Sequence, residues 1–179
     1  MSEWALETFK AYDIRGIAGS QLSTAFAYRL GQALPTYLDC SALAVGRDIR
    51  ESSPELHEAL VEGLLSTGCH VHDIGICTTG ALYSATVNVV TGGGVMITAS
   101  HNPVSDSGIK VFDSSGFKTN PELEKEISEL VIQLAAEERE VDQNDLMELA
   151  NPDSYFNADL AHQALKTYNS HIVKPICIV

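Results

Sequence analysis

A chain of 179 residues, 45% of them hydrophobic, has material for one domain with its own core and part of another. Its 11 basic against 24 acidic residues leave a formal net charge of −13, which repels nucleic acid and anionic membrane and removes both from the expected partners. A phosphorylated metabolite remains open, but only through a small concave cluster of Arg, Lys and backbone N–H groups working against that overall field. No apolar run approaches the roughly 20 residues of a membrane span. The N-terminus, Met1-Ser2-Glu3-Trp4, has no basic stretch leading into an apolar one. Cys40, Cys69, Cys77 and Cys177 show no C-x-x-C spacing, so reduced thiols in a cytoplasmic protein are expected.

In chain order, residues 9–17 read as an extended segment, and Ser23 opens an amphipathic helix to about Leu34. Ala42–Gly46 is a buried strand. Ser53 then serves as an N-cap with Pro54 at the first helical position, and Leu56, Leu60, Gly63 and Leu64 share one face. Gly68 stops that helix, and His70–Ile74 forms the next strand. His70 and His72 share a strand face, but no third ligand is spaced to join them in a metal site. Thr79 caps a helix through Leu82, Tyr83 and Thr86 to about Val90. Gly92-Gly93-Gly94 is a turn rather than a dinucleotide fingerprint, because it precedes a strand instead of joining a strand to a helix.

Gly94–Thr98 is uniformly apolar, as a strand covered on both faces should be. Ile109–Phe112 and Gly116–Phe117 suggest a short hairpin. Asn120-Pro121-Glu122 opens a helix with Ile127, Leu130, Val131 and Leu134 on one face. Residues 137–153 are acidic and weakly patterned, suggesting a boundary. A further helix over about residues 155–172 leads to the apolar run Pro175–Val179. The alternation predicts an α/β fold, a mixed, largely parallel sheet sandwiched by helices.

The stretch Thr98-Ala99-Ser100-His101-Asn102-Pro103 lies at the carboxyl end of the apolar strand, where open α/β sheets bind ligands. Pro103 restricts Asn102 to extended backbone, so the loop is stiff. Ser100 there suits group transfer, either as an acyl-enzyme nucleophile or as a phosphate carrier. The acyl reading wants a G-x-S-x-G elbow, which Ala99 and His101-Asn102 do not supply. The phosphate reading wants nearby cations, and His101, Lys110, Arg15, Arg47 and Arg50 are candidates. Each has a plainer alternative. Lys110 alternates with Ile109 and Val111 and could be a solvated edge-strand lysine. Arg15 could fork onto Asp13 or Asp48, His101 could satisfy a backbone carbonyl, and Arg47 and Arg50 read as structural or solvent-facing.

Four segments, in order and spacing, resemble the α-D-phosphohexomutase family of the phosphomannomutase/phosphoglucomutase type: Phe9 through Gly16, Val45 through Arg50, Thr98 through Pro103, and Gly108-Ile109-Lys110. The resemblance covers essentially the whole chain. It implies that Ser100 carries a phosphoryl group, donates it to a hexose phosphate, and takes back the other phosphate of the hexose 1,6-bisphosphate so formed. The outcome is interconversion of hexose 1-phosphate and hexose 6-phosphate, with mannose, glucose and glucosamine phosphates as alternative substrates. By the same resemblance, Arg15 and Lys110 line the site and Lys110 assists proton transfer. His101 sits beside the phosphoserine, Tyr12 shapes the pocket, and Mg²⁺ is held by the phosphate on Ser100 together with an aspartate-rich loop.

That loop, Asp-Gly-Asp-x-Asp-Arg, does not occur in this sequence. The family often has Tyr-Asn where Asp106-Ser107 stand ahead of Gly108-Ile109-Lys110, which bears on the local loop contacts. The resemblance places domain I at residues 1–150 and the truncated start of a second domain at 151–179, with little activity expected of this length alone. The alternatives are a domain that binds a phosphosugar or a protein partner without catalysis and, more weakly, a serine hydrolase.

Overall fold

The computed structural model describes residues 8–9, 13–88, 92–117 and 121–136. They form strands β1 (Ile14–Ile17), β2 (Ala42–Arg47), β3 (His70–Ile76), β4 (Gly94–Ile97) and β5 (Asp106–Phe112). The helices are α1 (Thr24–Tyr37), α2 (Ser53–Leu65), α3 (Thr79–Asn88) and α4 (Pro121–Ala136). The strands join in one sheet, ordered β1-β5-β4-β2-β3. β2 pairs in parallel with β3 and β4, while β5 pairs antiparallel with β4 and β1. This is the expected α/β fold with a mixed sheet.

β5 corrects one expectation. It is not one arm of a hairpin with Gly116–Phe117 but an interior strand, buried from Ser107 to Phe112 and paired along both edges. With its hydrogen bonds taken by β1 and β4, the chain beyond it makes only a turn. There the Asp113 N–H donates to the Phe117 carbonyl and the Gly116 N–H to that of Asp113.

Period-two alternation sorts the core onto both faces of the sheet. Leu43, Val45, Val95, Ile97, Ile109 and Val111 face α1, α2 and α4, packing with Phe26, Leu30, Leu60, Leu64, Ile127 and Val131. Ala44, Met96 and Phe112 face the other way, against Leu82 and Ala85 of α3. Burying each large aliphatic side chain contributes about 1.5–3 kcal/mol. Val131 and Ile127 lie on the expected face of α4, and Leu130 packs beside them. The side chain of Leu134, residues 10–12 and everything after residue 136, including the expected boundary, helix and final strand, lie outside the described residues.

The helix ends show where local chemistry decided matters. Ser23 Oγ accepts from the Phe26 N–H at 3.2 Å, a side-chain cap. α1 runs past Leu34 to Tyr37 although Pro35 in its last turn lacks an N–H to donate, and the Leu38 N–H closes on the Leu34 carbonyl at 2.8 Å. Ser53 is the first residue of α2 rather than its cap; it is fully buried and its hydroxyl donates to Asp48 Oδ1 at 2.5 Å. Thr78, not Thr79, caps α3, its Oγ1 accepting from the Ala81 N–H at 3.2 Å. Gly68 follows α2 at φ +80°, the left-handed position that ends it.

α1 and α2 cross at glycines. A Cβ on Gly63 would lie 2.1 Å from the Tyr28 carbonyl oxygen, and one on Gly31 2.4 Å from that of Leu60. Backbone cannot yield as a side-chain tip can, so the crossing requires the missing methyls. Gly63→Ala should therefore destabilise the fold. Against rigid backbone the overpacking cost falls at the upper end of the usual range, about 3 kcal/mol, which outweighs the roughly 1 kcal/mol gained in helix propensity, and urea unfolding should show a net loss of about 2 kcal/mol.

Among the described residues, Cys40, Cys69 and Cys77 are free thiols. Burial first, then the Asp73 carboxylate, pushes the Cys77 thiol from 9.0 up to about 11, and burial raises Cys69 to about 12. For Cys77 that cuts the thiolate fraction roughly a hundredfold. Iodoacetamide at pH 7.5 (about one unit below an ordinary cysteine pKa) should leave both unmodified in the native protein and label them rapidly once urea unfolds it.

Candidate active site at the carboxyl end of β4

β4 ends at Ile97, and the Thr98 N–H still bonds the Gly108 carbonyl of β5 at 2.8 Å. Beyond that point the chain turns sharply. Thr98 Oγ1 accepts from the Ser100 N–H at 2.9 Å, and the Asn102 N–H donates to the Ala99 carbonyl at 3.1 Å. Ser100 takes φ +57°, left-handed backbone that costs a non-glycine residue of order 1 kcal/mol or more. It is solvent-exposed, and its Oγ lies 3.1 Å from His101 Nδ1, so His101 pairs with a hydroxyl rather than a backbone carbonyl.

Across the sheet, Ile14 pairs with Ile109, which puts Asp13 opposite Lys110. Lys110 Nζ donates to both Asp13 carboxylate oxygens at 3.2 Å. Arg15 forks onto the same carboxylate, NH2 to Oδ2 at 2.6 Å and Nε at 3.2 Å, and its NH1 donates to Asn102 Oδ1 at 2.8 Å. Asn102 Nδ2 then reaches Asp106 Oδ2 at 3.2 Å. A continuous polar chain thus runs from Lys110 through Asp13, Arg15 and Asn102 to the loop bearing Ser100. Lys110 is only 9% exposed and β5 is not an edge strand, so the solvated-lysine alternative does not hold.

Arg50 closes the loop from the other side. Its NH1 donates to the carbonyls of Pro103 at 2.6 Å and Asp106 at 3.2 Å, and its NH2 to those of Ser100 at 3.1 Å and Asn102 at 2.8 Å. Asp48 anchors it, with Oδ2 3.3 Å from Arg50 Nε and Oδ1 accepting the Arg50 N–H at 3.1 Å.

Ser100, His101, Arg15 and Lys110 therefore gather around the carboxyl end of β4. Arg47 stands apart. Its NH1 reaches only the Asp48 carbonyl at 3.4 Å, and it lines a separate cleft between α2 and β3 with His57 and Asp73, which pair at 3.0 Å. Tyr12 lies outside the described residues.

The sequence reading missed the linking role of Asn102 and the grip of Arg50 on the loop. The available signals were the position of Asn102 between Ser100 and Pro103, and the pairing of Asp48 with Arg50 just past the end of β2. Among the described residues no group of three or more His, Cys, Asp and Glu side chains could hold a metal ion. This part of the chain does not build a metal site from its own side chains.

Asp13 counters two cations in a space where Lys110 is almost wholly buried. Asp13→Asn keeps the shape and removes the charge. Unpairing one side of a buried ion pair costs about 3–5 kcal/mol, and screening at the 30% exposed Arg15 reduces this, so a loss of about 2–3 kcal/mol is expected in thermal unfolding. The deficit should shrink in high salt, which screens the exposed repulsion left behind.

Residues 6–138 match the family domain described as phosphoglucomutase/phosphomannomutase, alpha/beta/alpha domain I. A curated relative from Xanthomonas campestris, named phosphohexose mutases, is 46% identical over 106 residues, covering 59% of this chain and 24% of the relative. A phosphoglucosamine mutase from Leuconostoc citreum is 41% identical over 138 residues, covering 73% of this chain and 30% of the relative. The chain thus spans less than a third of the length of these relatives. A solved phosphoglucomutase/phosphomannomutase family protein from Burkholderia thailandensis superimposes with a TM-score of 0.67 at 29% identity, over 75% of this chain and 31% of that one. A match along most of the chain, with the same α/β fold, means that this protein belongs to the phosphoglucomutase/phosphomannomutase family, of which it carries domain I.

Proposed function

We propose that this chain supplies the phosphoryl-carrying part of a hexose phosphate mutase, with Ser100 as the carrier. The observation that supports it best is the exposed Ser100 hydroxyl on a left-handed turn, joined through Asn102 to the Arg15–Asp13–Lys110 cluster. Phosphoryl transfer asks a protein for positioning and charge neutralisation more than for covalent chemistry, and this arrangement offers both.

In the forward step a sugar hydroxyl oxygen attacks phosphorus, the bond from phosphorus to Ser100 Oγ breaks, and the proton lost by the sugar hydroxyl is balanced by one gained at the freed Ser100 Oγ. The hexose 1,6-bisphosphate then presents its other phosphate, and Ser100 Oγ accepts that group as the bond to the sugar oxygen breaks. Arg15 and Lys110 line the site, Arg15 offsetting the charge of the transferring group, and Lys110 is the group we assign to relaying the proton, giving one to the freed Ser100 Oγ as it takes one from the sugar hydroxyl. His101 Nδ1 holds the Ser100 hydroxyl when the phosphate is absent. Tyr12 is assigned to shaping the pocket.

Magnesium, when bound, neutralises phosphate charge. The ligand we assign to this chain is the phosphate on Ser100, and among the described residues no group of three or more His, Cys, Asp and Glu side chains could hold the ion. No helix among the described residues is long and apolar enough to cross a membrane, and the substrates we assign are hexose phosphates rather than a membrane or nucleic acid.

Incubation with a hexose 1,6-bisphosphate and Mg²⁺ followed by phosphopeptide mass mapping should place one phosphate on Ser100. Ser100→Ala should abolish it. Uptake that persists undiminished in Ser100→Ala, or maps to another residue, would refute the carrier assignment. A fluorophosphonate should leave Ser100 unlabelled, because no acylating machinery is proposed there.

A further inference from the structure

Arg50 stands out because the bonds of its NH1 and NH2 groups all go to one loop. A guanidinium has five N–H donors. NH1 and NH2 place bonds on the carbonyls of Ser100, Asn102, Pro103 and Asp106, and Nε faces the Asp48 carboxylate at 3.3 Å. Such a group cannot also bind a phosphate without releasing the loop, so Arg50 differs in kind from Arg15 and Lys110, although all carry the same charge.

The bonds also orient the loop's other polar groups. No peptide bond among the described residues is cis. In a planar trans peptide the C=O and the following N–H point in opposite directions. A Ser100 carbonyl aimed at Arg50 therefore turns the His101 N–H away from it, and the Pro103 carbonyl does the same for the Val104 N–H. The Ser100 and Asn102 N–H groups are already taken by Thr98 Oγ1 and the Ala99 carbonyl, so the His101 N–H is the donor that the clamp leaves turned outward beside the left-handed Ser100.

We propose that Arg50 is a positioning residue for group transfer at Ser100. It gathers the carbonyls of residues 100–106 onto one guanidinium, holds Ser100 in its left-handed conformation, and leaves the His101 N–H outside the clamp as a donor for the phosphoryl group. Asp48 is the anchor that fixes the guanidinium at the end of β2. The proposal rests on Ser100 being the phosphate carrier, but the clamp itself is testable without that reading. A lysine cannot substitute, because one ammonium has three donors and cannot span four carbonyls.

The experiment uses the 179-residue chain as the parent, Arg50→Ala and Arg50→Lys, each with and without millimolar guanidinium ion. Amide hydrogen exchange is followed at Ser100, Asn102 and Asp106, with Val45 and Val95 as strand references. The initial rate of phosphate uptake at Ser100 from a hexose 1,6-bisphosphate with Mg²⁺ is measured on the same samples. Both variants should exchange roughly tenfold or more faster at the loop amides with the strand amides unchanged, and both should take up phosphate at least about tenfold more slowly. Guanidinium should restore both readings in Arg50→Ala and neither in Arg50→Lys, whose side chain fills the space.

Loop exchange unchanged in Arg50→Ala would overturn the clamp, as would Arg50→Lys behaving like the parent. If Arg50→Ala loosens the strand amides too, the guanidinium titration decides, and failure to restore loop protection overturns the proposal. A parent that exchanges as expected but takes no phosphate on Ser100 shows that this length of chain does not take up the group unaided, while the loop amides still decide for or against the clamp.

Discussion

Everything around Ser100 depends on β5 lying between β1 and β4. Its antiparallel pairing to β4 places Lys110 opposite Met96, and its pairing to β1 brings Asp13 and Arg15 alongside Lys110 and Gly108. Without that insertion, Asp13 and Lys110, far apart in sequence, would have no reason to meet. The strand is held there by burial. Ile109 and Val111 point into the large core under α1, α2 and α4, and Phe112 packs into the smaller one under α3. A one-residue slip would send Ile109 and Val111 to the wrong face and carry Lys110 into the larger core, so hydrophobic register protects the polar site.

The electrostatics within that frame are divided between two arginines with different tasks. Arg15 shares Asp13 with Lys110 and keeps one donor for Asn102, so its charge stays near the loop and partly open to solvent. Arg50 is consumed by main-chain carbonyls and its own carboxylate anchor. Charge-assisted bonds of this kind are about twice as strong as neutral ones, which suits a turn that must keep a serine in left-handed backbone. In a chain with net charge −13, the cations gathered around this loop oppose the overall field locally.

Much of this was legible in the residues. The strands at 42–47 and 94–97 and the apolar faces of α2 and α4 follow from periodicity alone, because a side chain's face is set by its position in the repeat. Ser100 was legible from its stiff loop after a fully apolar strand. The neighbours of β5 were not, since a short run such as Ile109–Phe112 pairs equally well with a hairpin partner next door or with strands brought from elsewhere. Cap positions slipped by a single residue at Ser53 and Thr78 for a related reason. Either of two adjacent hydroxyl residues can cap, and tertiary contacts choose; Ser53 turned its hydroxyl inward to Asp48.

The sequence by itself determined the fold class, the two-faced core and the place of Ser100 at the carboxyl end of a strand, because these depend on local periodicity and on the stiffness that proline imparts. Only the tertiary structure decided what each cation does. Lys110, Arg15, Arg47 and Arg50 carry the same formal charge, yet one is buried on Asp13, one links Asp13 to Asn102, one faces a separate cleft and one clamps the loop. Charge and spacing say that a side chain can reach a carboxylate or a carbonyl. Which one it reaches depends on strands paired across long stretches of chain, and that pairing is fixed by the packing of the whole sheet.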